Sequence, residues 1–446
     1  MTLKDDLTRR LAQLPPYRLR GTVVRIDAGL VRCAGLTGLA GVGDACRITR
    51  KGSLPPVPAE VVGFAADHLF LLPYDDLDGV VYGARVEIEP AFNLVAPSSR
   101  WLGRVVDPFT APLDDRGPLP PGRSAYDLRA PPPAVGRRQG LGSPLRFGVR
   151  ALDLFTPCLR GQRLGVFAGS GVGKSSLISM IARQSDADVM VIGLIGERGR
   201  EVREFIEDTL GADGMARSVL VAATSDMPAM SRRRAAFLTV TIAEALRDEG
   251  LSVLCIMDSV TRFAMALREI YLAAGEPPTT KGYPPSVFAE LPRLLERIGP
   301  GEAEGTITGL LTVLVEGDDT NEPVADSVRS ILDGHVILDR RIAEGGRFPA
   351  VDVLASLSRT QDRALSPAQR GLADQARKLL RAYEDVAELV QLGAYAAGAD
   401  PVADEAIRRH EAIQAVLRQP MSDPQASGDA FATLASALGI AYTPEP

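Results

Sequence analysis

The chain has 446 residues, 46% of them hydrophobic, which suits a globular protein of roughly three domains. Its net charge of −6 and isoelectric point near 5.4 argue against a protein whose main task is to grip a nucleic-acid backbone. Cys33, Cys46, Cys158 and Cys255 lack CxxC spacing and only His68, His335 and His410 could join them, so they read as reduced thiols of a cytosolic protein. No signal-peptide pattern opens the chain and no apolar run reaches about 18 residues, so any membrane contact is expected to be peripheral.

Taken in chain order, the first element is a short amphipathic helix within residues 1–17, with Leu3, Leu7, Leu11 and Leu14 on one stripe, Thr2 and Asp5 spaced as a capping box and Pro15 and Pro16 as the stop. Packing on its own domain and docking on a partner or an anionic membrane surface are both open to it. Residues 18–92 turn to short alternating runs cut by glycines, such as GTVVRI at 21–26 and RVEIE at 85–89, which predicts a small β-barrel. Residues 93–146 carry Pro108, Pro112, Pro118, Pro120, Pro121 and Pro131 to Pro133, too many for a core element, and read as an ordered connector.

From 147 to 365 apolar strands, at 164–167, 189–195, 219–223, 251–257 and 310–315, alternate with helical stretches. That alternation predicts an α/β domain with a parallel sheet covered on both faces by helices. The first of these strands runs into Ala168, then Gly169, Ser170, Gly171, Val172, Gly173, Lys174, Ser175 and Ser176, and then an apolar-periodic helix. Strand, glycine loop and helix in this order make a phosphate-binding loop: backbone N–H groups turn inward where a Cβ would crowd the anion, and the helix N-terminus adds partial positive charge. Lys174 would reach the terminal phosphates of a bound nucleotide and the Ser175 hydroxyl would ligate Mg²⁺. Ala168 stands where a strict pattern has Gly.

Two further strand ends carry acids. Asp258 closes the near-continuous apolar strand LSVLCIM, where a carboxylate can hold Mg²⁺ through water; with the glycine loop on the same carboxyl edge this becomes a specific signal. Glu197 follows the strand VMVIGLI, placed to orient water for in-line attack on the γ-phosphorus, and Arg198 beside it would steady Glu197 or the terminal phosphate. The bland alternative is a solvated helix start, which fits Glu201 better than Glu197. Beyond Ser366 and Pro367, a cap and first-turn pair, Leu372, Ala376, Leu379, Tyr383, Val386 and Val390 recur at helical spacing until Gly393, so 366–446 is expected to be mostly helical.

GERGREVREF at 196–205, ATSDMP at 223–228, DSVTRFA at 258–264, AGEPPTTKGYPPSVFAELPRLLER at 274–297 and TVLVEGDDTNEPVADSVRSILDGH at 312–335, with GRVVDPF at 103–109, resemble the type III protein-export ATPases, relatives of the catalytic subunits of rotary ATP synthases. The resemblance covers nearly the whole chain and is nearer the flagellar branch, with the virulence-secretion branch open. It implies a RecA-like nucleotide-binding domain that hydrolyses ATP with Mg²⁺, in which Arg359 is an arginine finger given to a neighbouring subunit's nucleotide and Phe348 stacks on adenine. It implies a hexameric ring at the inner face of the bacterial cytoplasmic membrane, meeting export-apparatus regulator and stalk proteins, export substrates and chaperones. By the same resemblance, 275–285 looks like a loop facing the ring's channel, with Lys281 and Tyr283 toward a partner or cargo. Rivals are a non-catalytic nucleotide-binding subunit, which would lack Glu197; an RNA-translocating ring, which would want aromatic and basic stripes in 18–90; and a rotary synthase subunit.

Overall fold

The structure, a computed structural model, describes residues 19–27, 29–315, 322–421 and 429–443. The expected N-terminal helix at 2–14 and the acidic segment at 316–321 lie outside the described residues. Among the described residues no helix is long and apolar enough to cross a membrane.

Two compact units form. The first takes the residues up to Val95 together with 227–233 and 266–284. Its six strands are β1 (Arg20–Asp27), β2 (Leu30–Ala34), β3 (Ala45–Ile48), β4 (Val57–Phe64), β5 (His68–Pro73) and β6 (Arg85–Ile88). They close into an antiparallel barrel in the order β1-β2-β5-β4-β3-β6. Alternation in the sequence becomes alternation in space: Val23, Val31, Cys33, Ile48, Val57, Leu69, Leu71 and Val86 point inward and are essentially inaccessible. Beside the barrel, buried Glu60 accepts from the Tyr74 hydroxyl at 2.7 Å and from Arg233 at 3.0 Å, so its charge is compensated. In the segment 266–284, Lys281 is exposed, but Tyr283 is only 6% exposed. The Arg268 guanidinium covers the Tyr283 ring at 5.4 Å, so the expectation that Tyr283 faces outward does not hold.

The second unit takes 96–226, 234–265 and everything from Pro285. Its sheet has eight strands: β7 (Arg104–Val106), β8 (Arg163–Ala168), β9 (Val189–Glu197), β10 (Ser218–Thr224), β11 (Ser252–Asp258), β12 (Thr306–Leu314), β13 (Gly334–Leu338) and β14 (Val351–Ser358). The order is β14-β13-β8-β12-β11-β9-β10-β7, parallel throughout except that β14 runs antiparallel to β13. The five expected strands form its middle, and their near-continuous burial is that of a sheet covered on both faces.

Two strands depart from expectation. The proline-rich connector does supply a core element: Arg104, Val105 and Val106 pair with β10 as an edge strand of three residues. Pro97 and Pro108 lie just outside this stretch, where a missing N–H breaks no ladder bond. Strand β14 departs from the pattern because it pairs antiparallel with β13 across a connection that holds only the short helix Arg340–Glu344, so it does not continue the parallel alternation of strand and helix.

Three C-terminal helices complete the unit: α1 (Pro367–Gln391), α2 (Pro401–Leu417) and α3 (Ala430–Leu438). Ser366 and Gln369 form a reciprocal capping box at the start of α1. Leu372, Ala376 and Leu379 of α1, Ile413 and Leu417 of α2 and Leu434 of α3 share one core cluster with Phe147, Phe155 and Leu164, so the helices are packed on the nucleotide domain.

Candidate active site

The site is assembled at the carboxyl edge of β8, β9 and β11. After β8 the backbone turns through left-handed conformations at Gly171 (φ 77°) and Gly173 (φ 100°), which a side chain would strain, and then enters the helix Lys174–Gln184. Gly169 and Val172 are buried while Ser170 and Ser175 are exposed, so the loop presents hydroxyls and backbone outward. The Lys174 ammonium donates to Asp258 Oδ1 and stands 3.8 Å from Glu197 Oε1. One cation therefore lies between two carboxylates contributed by different strands, all three side chains at most 16% exposed.

Each carboxylate is held by its own device. Asp258 also accepts from the Thr312 hydroxyl at 2.8 Å, from a fully buried position on β12. Glu197 is aimed by a bulge: Ile195 pairs with Ala223 and Glu197 with Thr224, leaving Gly196 as the extra residue, at φ 73°. A Cβ on Gly196 would come within 3.1 Å of the Arg262 side chain, so glycine also permits the close approach of that arginine. Burial pushes the Glu197 carboxyl up to about 7; Lys174 pulls against this, and the negative charges of Asp258 and Glu201 add to it. A carboxylate titrating near neutrality, beside a cleft of about 480 Å³ lined by the glycine loop, is suited to handling a proton of water.

Residues 148–358 match the ATP synthase alpha/beta family, nucleotide-binding domain, and residues 365–436 match the T3SS EscN ATPase C-terminal domain. The flagellum-specific ATP synthase of Caulobacter vibrioides is 51% identical over 98% of this chain and the whole of its own. Among solved structures, the assembled ATPase EscN of the enteropathogenic E. coli type III secretion system superposes with a TM-score of 0.87 at 39% identity, covering 94% of this chain and 100% of that one. EscN in complex with its central stalk EscO superposes at 0.85 and 38% identity, with the same coverage. The chain belongs to the family of flagellar and type III secretion ATPases. It is an ATP hydrolase with a nucleotide-binding domain of the ATP synthase type.

The other expected residues of this export ATPase are distributed around that centre. Phe348 is 47% exposed, and its ring lies 3.7 Å from where a Cβ on Gly173 would be, next to the glycine loop. Arg198 is largely exposed at the mouth and pairs with Glu201 at 3.5 Å, so its nearest charge is Glu201. Arg359 is at the other rim. Ser358 pairs with Gly334, and Gly334 with Leu164, the amino end of β8, whereas Lys174 follows its carboxyl end. Six residues of strand separate the two rims by roughly 20 Å.

Sequence reasoning missed Thr312 and Arg262. Arg262 lines the cleft and brings a guanidinium to a site built for anions; its Nε is buried and, among the described residues, has no hydrogen-bond partner. A threonine inside the apolar run LLTVL, and an arginine one turn past the Asp258 strand, were the available signals. Among the described residues no group of three or more His, Cys, Asp or Glu gathers as a metal cage. The donors fit Mg²⁺ nonetheless, because that ion is commonly held by one hydroxyl or carboxylate and phosphate oxygens, and Ser175 and Asp258 line one cleft together with Lys174.

Proposed function

We propose that the chain hydrolyses ATP with Mg²⁺ at the interfaces of a homohexameric ring, and that this cycle powers or gates export of flagellar proteins through a type III secretion apparatus. The observation that carries the reading is the convergence of Lys174, Glu197 and Asp258 at one glycine loop. The loop from Gly169 to Gly173 with Ser176 cradles the phosphates, Lys174 neutralises the terminal ones, and Arg262 supplies a further donor to them. Ser175 and Asp258 would hold Mg²⁺, which when bound supplies charge neutralisation across the phosphates. Glu197 orients the attacking water and takes up its proton. Arg198 steadies the mouth of the site, and Phe348 packs on the adenine.

Arg359 acts on a neighbour's nucleotide. Its place on the amino rim supports this, since no rotation of its side chain spans the distance to Lys174 of the same chain. Mixing Arg359→Ala with Glu197→Gln tests the arrangement: each alone is inactive, and the mixture recovers a fraction of turnover because some interfaces hold both intact groups. A mixture as inactive as its parts would remove the shared site.

On this reading the chain divides into an N-terminal segment (1–17), a barrel (18–92), a connector (93–146), the motor (147–365) and a helical domain (366–446). The ring works in the cytoplasm at the inner face of the membrane, with a stalk protein, a regulator, cargo and chaperones as partners, and no nucleic acid. The likeness to EscN favours virulence secretion as the second reading. Restored swimming in a strain lacking its flagellar export ATPase separates the two.

A further inference from the structure

At the exit of α2 the chain buries an amide. Gln419 is 2% exposed, and its side-chain amide and backbone N–H are all paired. Its side-chain oxygen accepts the backbone N–H of Arg150 at 2.9 Å, and its amide nitrogen donates to the Gly148 carbonyl at 2.9 Å. The same nitrogen reaches the side-chain oxygen of Gln184, the last residue of the glycine-loop helix, at 3.4 Å. Its own backbone N–H donates to the Phe348 carbonyl at 2.9 Å. Arg150 closes the clamp from the other side, donating from Nε to the Val416 carbonyl and from Nη2 to the Arg418 carbonyl, both at 2.8 Å.

The amide's polarity is specific. Acceptor faces N–H and donor faces carbonyl, so rotating the group by half a turn would set like against like at both ends. A buried amide with every group used is a positional constraint, because a shift at any one partner leaves another unpaired in a dry site. Of the four partners, Gly148 and Arg150 belong to the start of the nucleotide domain, Gln184 to the end of the glycine-loop helix, and the fourth is the backbone carbonyl of Phe348, whose half-exposed ring lies beside the glycine loop.

We infer that Gln419, with Arg150, is a positioning residue for nucleotide binding: it fixes the Phe348 backbone against the glycine loop and ties that position to the end of the helical hairpin. The inference rests on Phe348 being the adenine platform. It separates from a merely structural role because it acts on affinity through one ring and leaves the phosphate chemistry to Lys174 and Glu197, which it does not touch.

The test is a double-mutant cycle read as KM for ATP against kcat, in assembled full-length protein, with Kd for a fluorescent ADP analogue measured alongside. Gln419→Ala raises KM and Kd by about threefold to tenfold, the loss of one or two hydrogen bonds, with kcat within about twofold. In a Phe348→Ala background, where KM is already raised, Gln419→Ala adds no more than about twofold. Arg150→Ala, at a half-buried position, carries the same cycle should Gln419→Ala fail to fold.

Additive effects in the cycle overturn the inference, as does a fall in kcat with KM unmoved. A raised KM for Phe348→Ala with wild-type KM in both clamp variants overturns the clamp and leaves the adenine platform standing. A Phe348→Ala variant with wild-type KM overturns both.

Discussion

The barrel and the eight-stranded sheet treat their strand ends in opposite ways. The barrel closes on itself, so every strand has two neighbours, and its interior is filled by small aliphatic side chains from alternate positions. The sheet stays open and continuously apolar through its middle, and then, at one edge only, sets a lysine and two acids in positions at most 16% exposed. Buried charge is costly unless paired, and beside the barrel Glu60 is paired with Arg233, one acid to one cation. At the carboxyl edge, where ligands of open α/β sheets bind, one lysine serves two acids, and there the chain accepts a local cost.

Removing charge at that edge should have the largest effect. Glu197→Gln is expected to lower kcat by about 10²- to 10⁴-fold while nucleotide binding persists. In the parent protein kcat/KM should rise as pH increases through about 7, because the raised Glu197 carboxyl must lose its proton before it can accept one from water. A flat profile across that range would count against Glu197 as the proton acceptor. Leu71→Ala, in the barrel interior, should instead cost about 2–5 kcal/mol of barrel stability in denaturant unfolding, with kcat of the folded fraction retained. If turnover collapsed in step with the barrel, the division of labour drawn here would be wrong.

Smaller effects sharpen the picture. Thr312→Val deletes the hydroxyl donor to Asp258 and should lower kcat/KM by about threefold to tenfold without unfolding. Smallest is the edge-strand lock. Burial raises the Asp114 carboxyl, but the Arg104 guanidinium at 2.7 Å and the N–H groups of Val105 and Arg116 outweigh it and hold it at about 2. Because the folded value lies below the ordinary 3.8, this stabilisation is present above pH 3.8 and is lost as pH falls through about 2. Asp114→Asn should therefore cost about 1 kcal/mol at pH 7, a difference from the parent that closes in strong acid when followed by thermal melting.

What could be read from the chain follows the range of the interactions. The glycine loop, Lys174 and Asp258 are each defined by a strand, a turn and a helix adjacent in sequence, so their meeting at one edge was legible. The barrel was legible from alternation. Thr312 was not, because its partner Asp258 is 54 residues away and only the β11–β12 pairing brings them together. Nor was β7: three residues between prolines carry no period, and their place is fixed by β10, more than a hundred positions further on. Arg262 needed the glycine at 196 to be seen as space for a neighbour as well as a turn.

The unpaired residue at Gly196 has a consequence for how this protein can change over generations. Side chains along a strand alternate faces, so one residue fewer between Val189 and Glu197 would swing the acid to the far side of the sheet. Substitutions among the aliphatic residues upstream preserve the aim, whereas a single codon gained or lost there turns the Glu197 carboxylate away from Lys174.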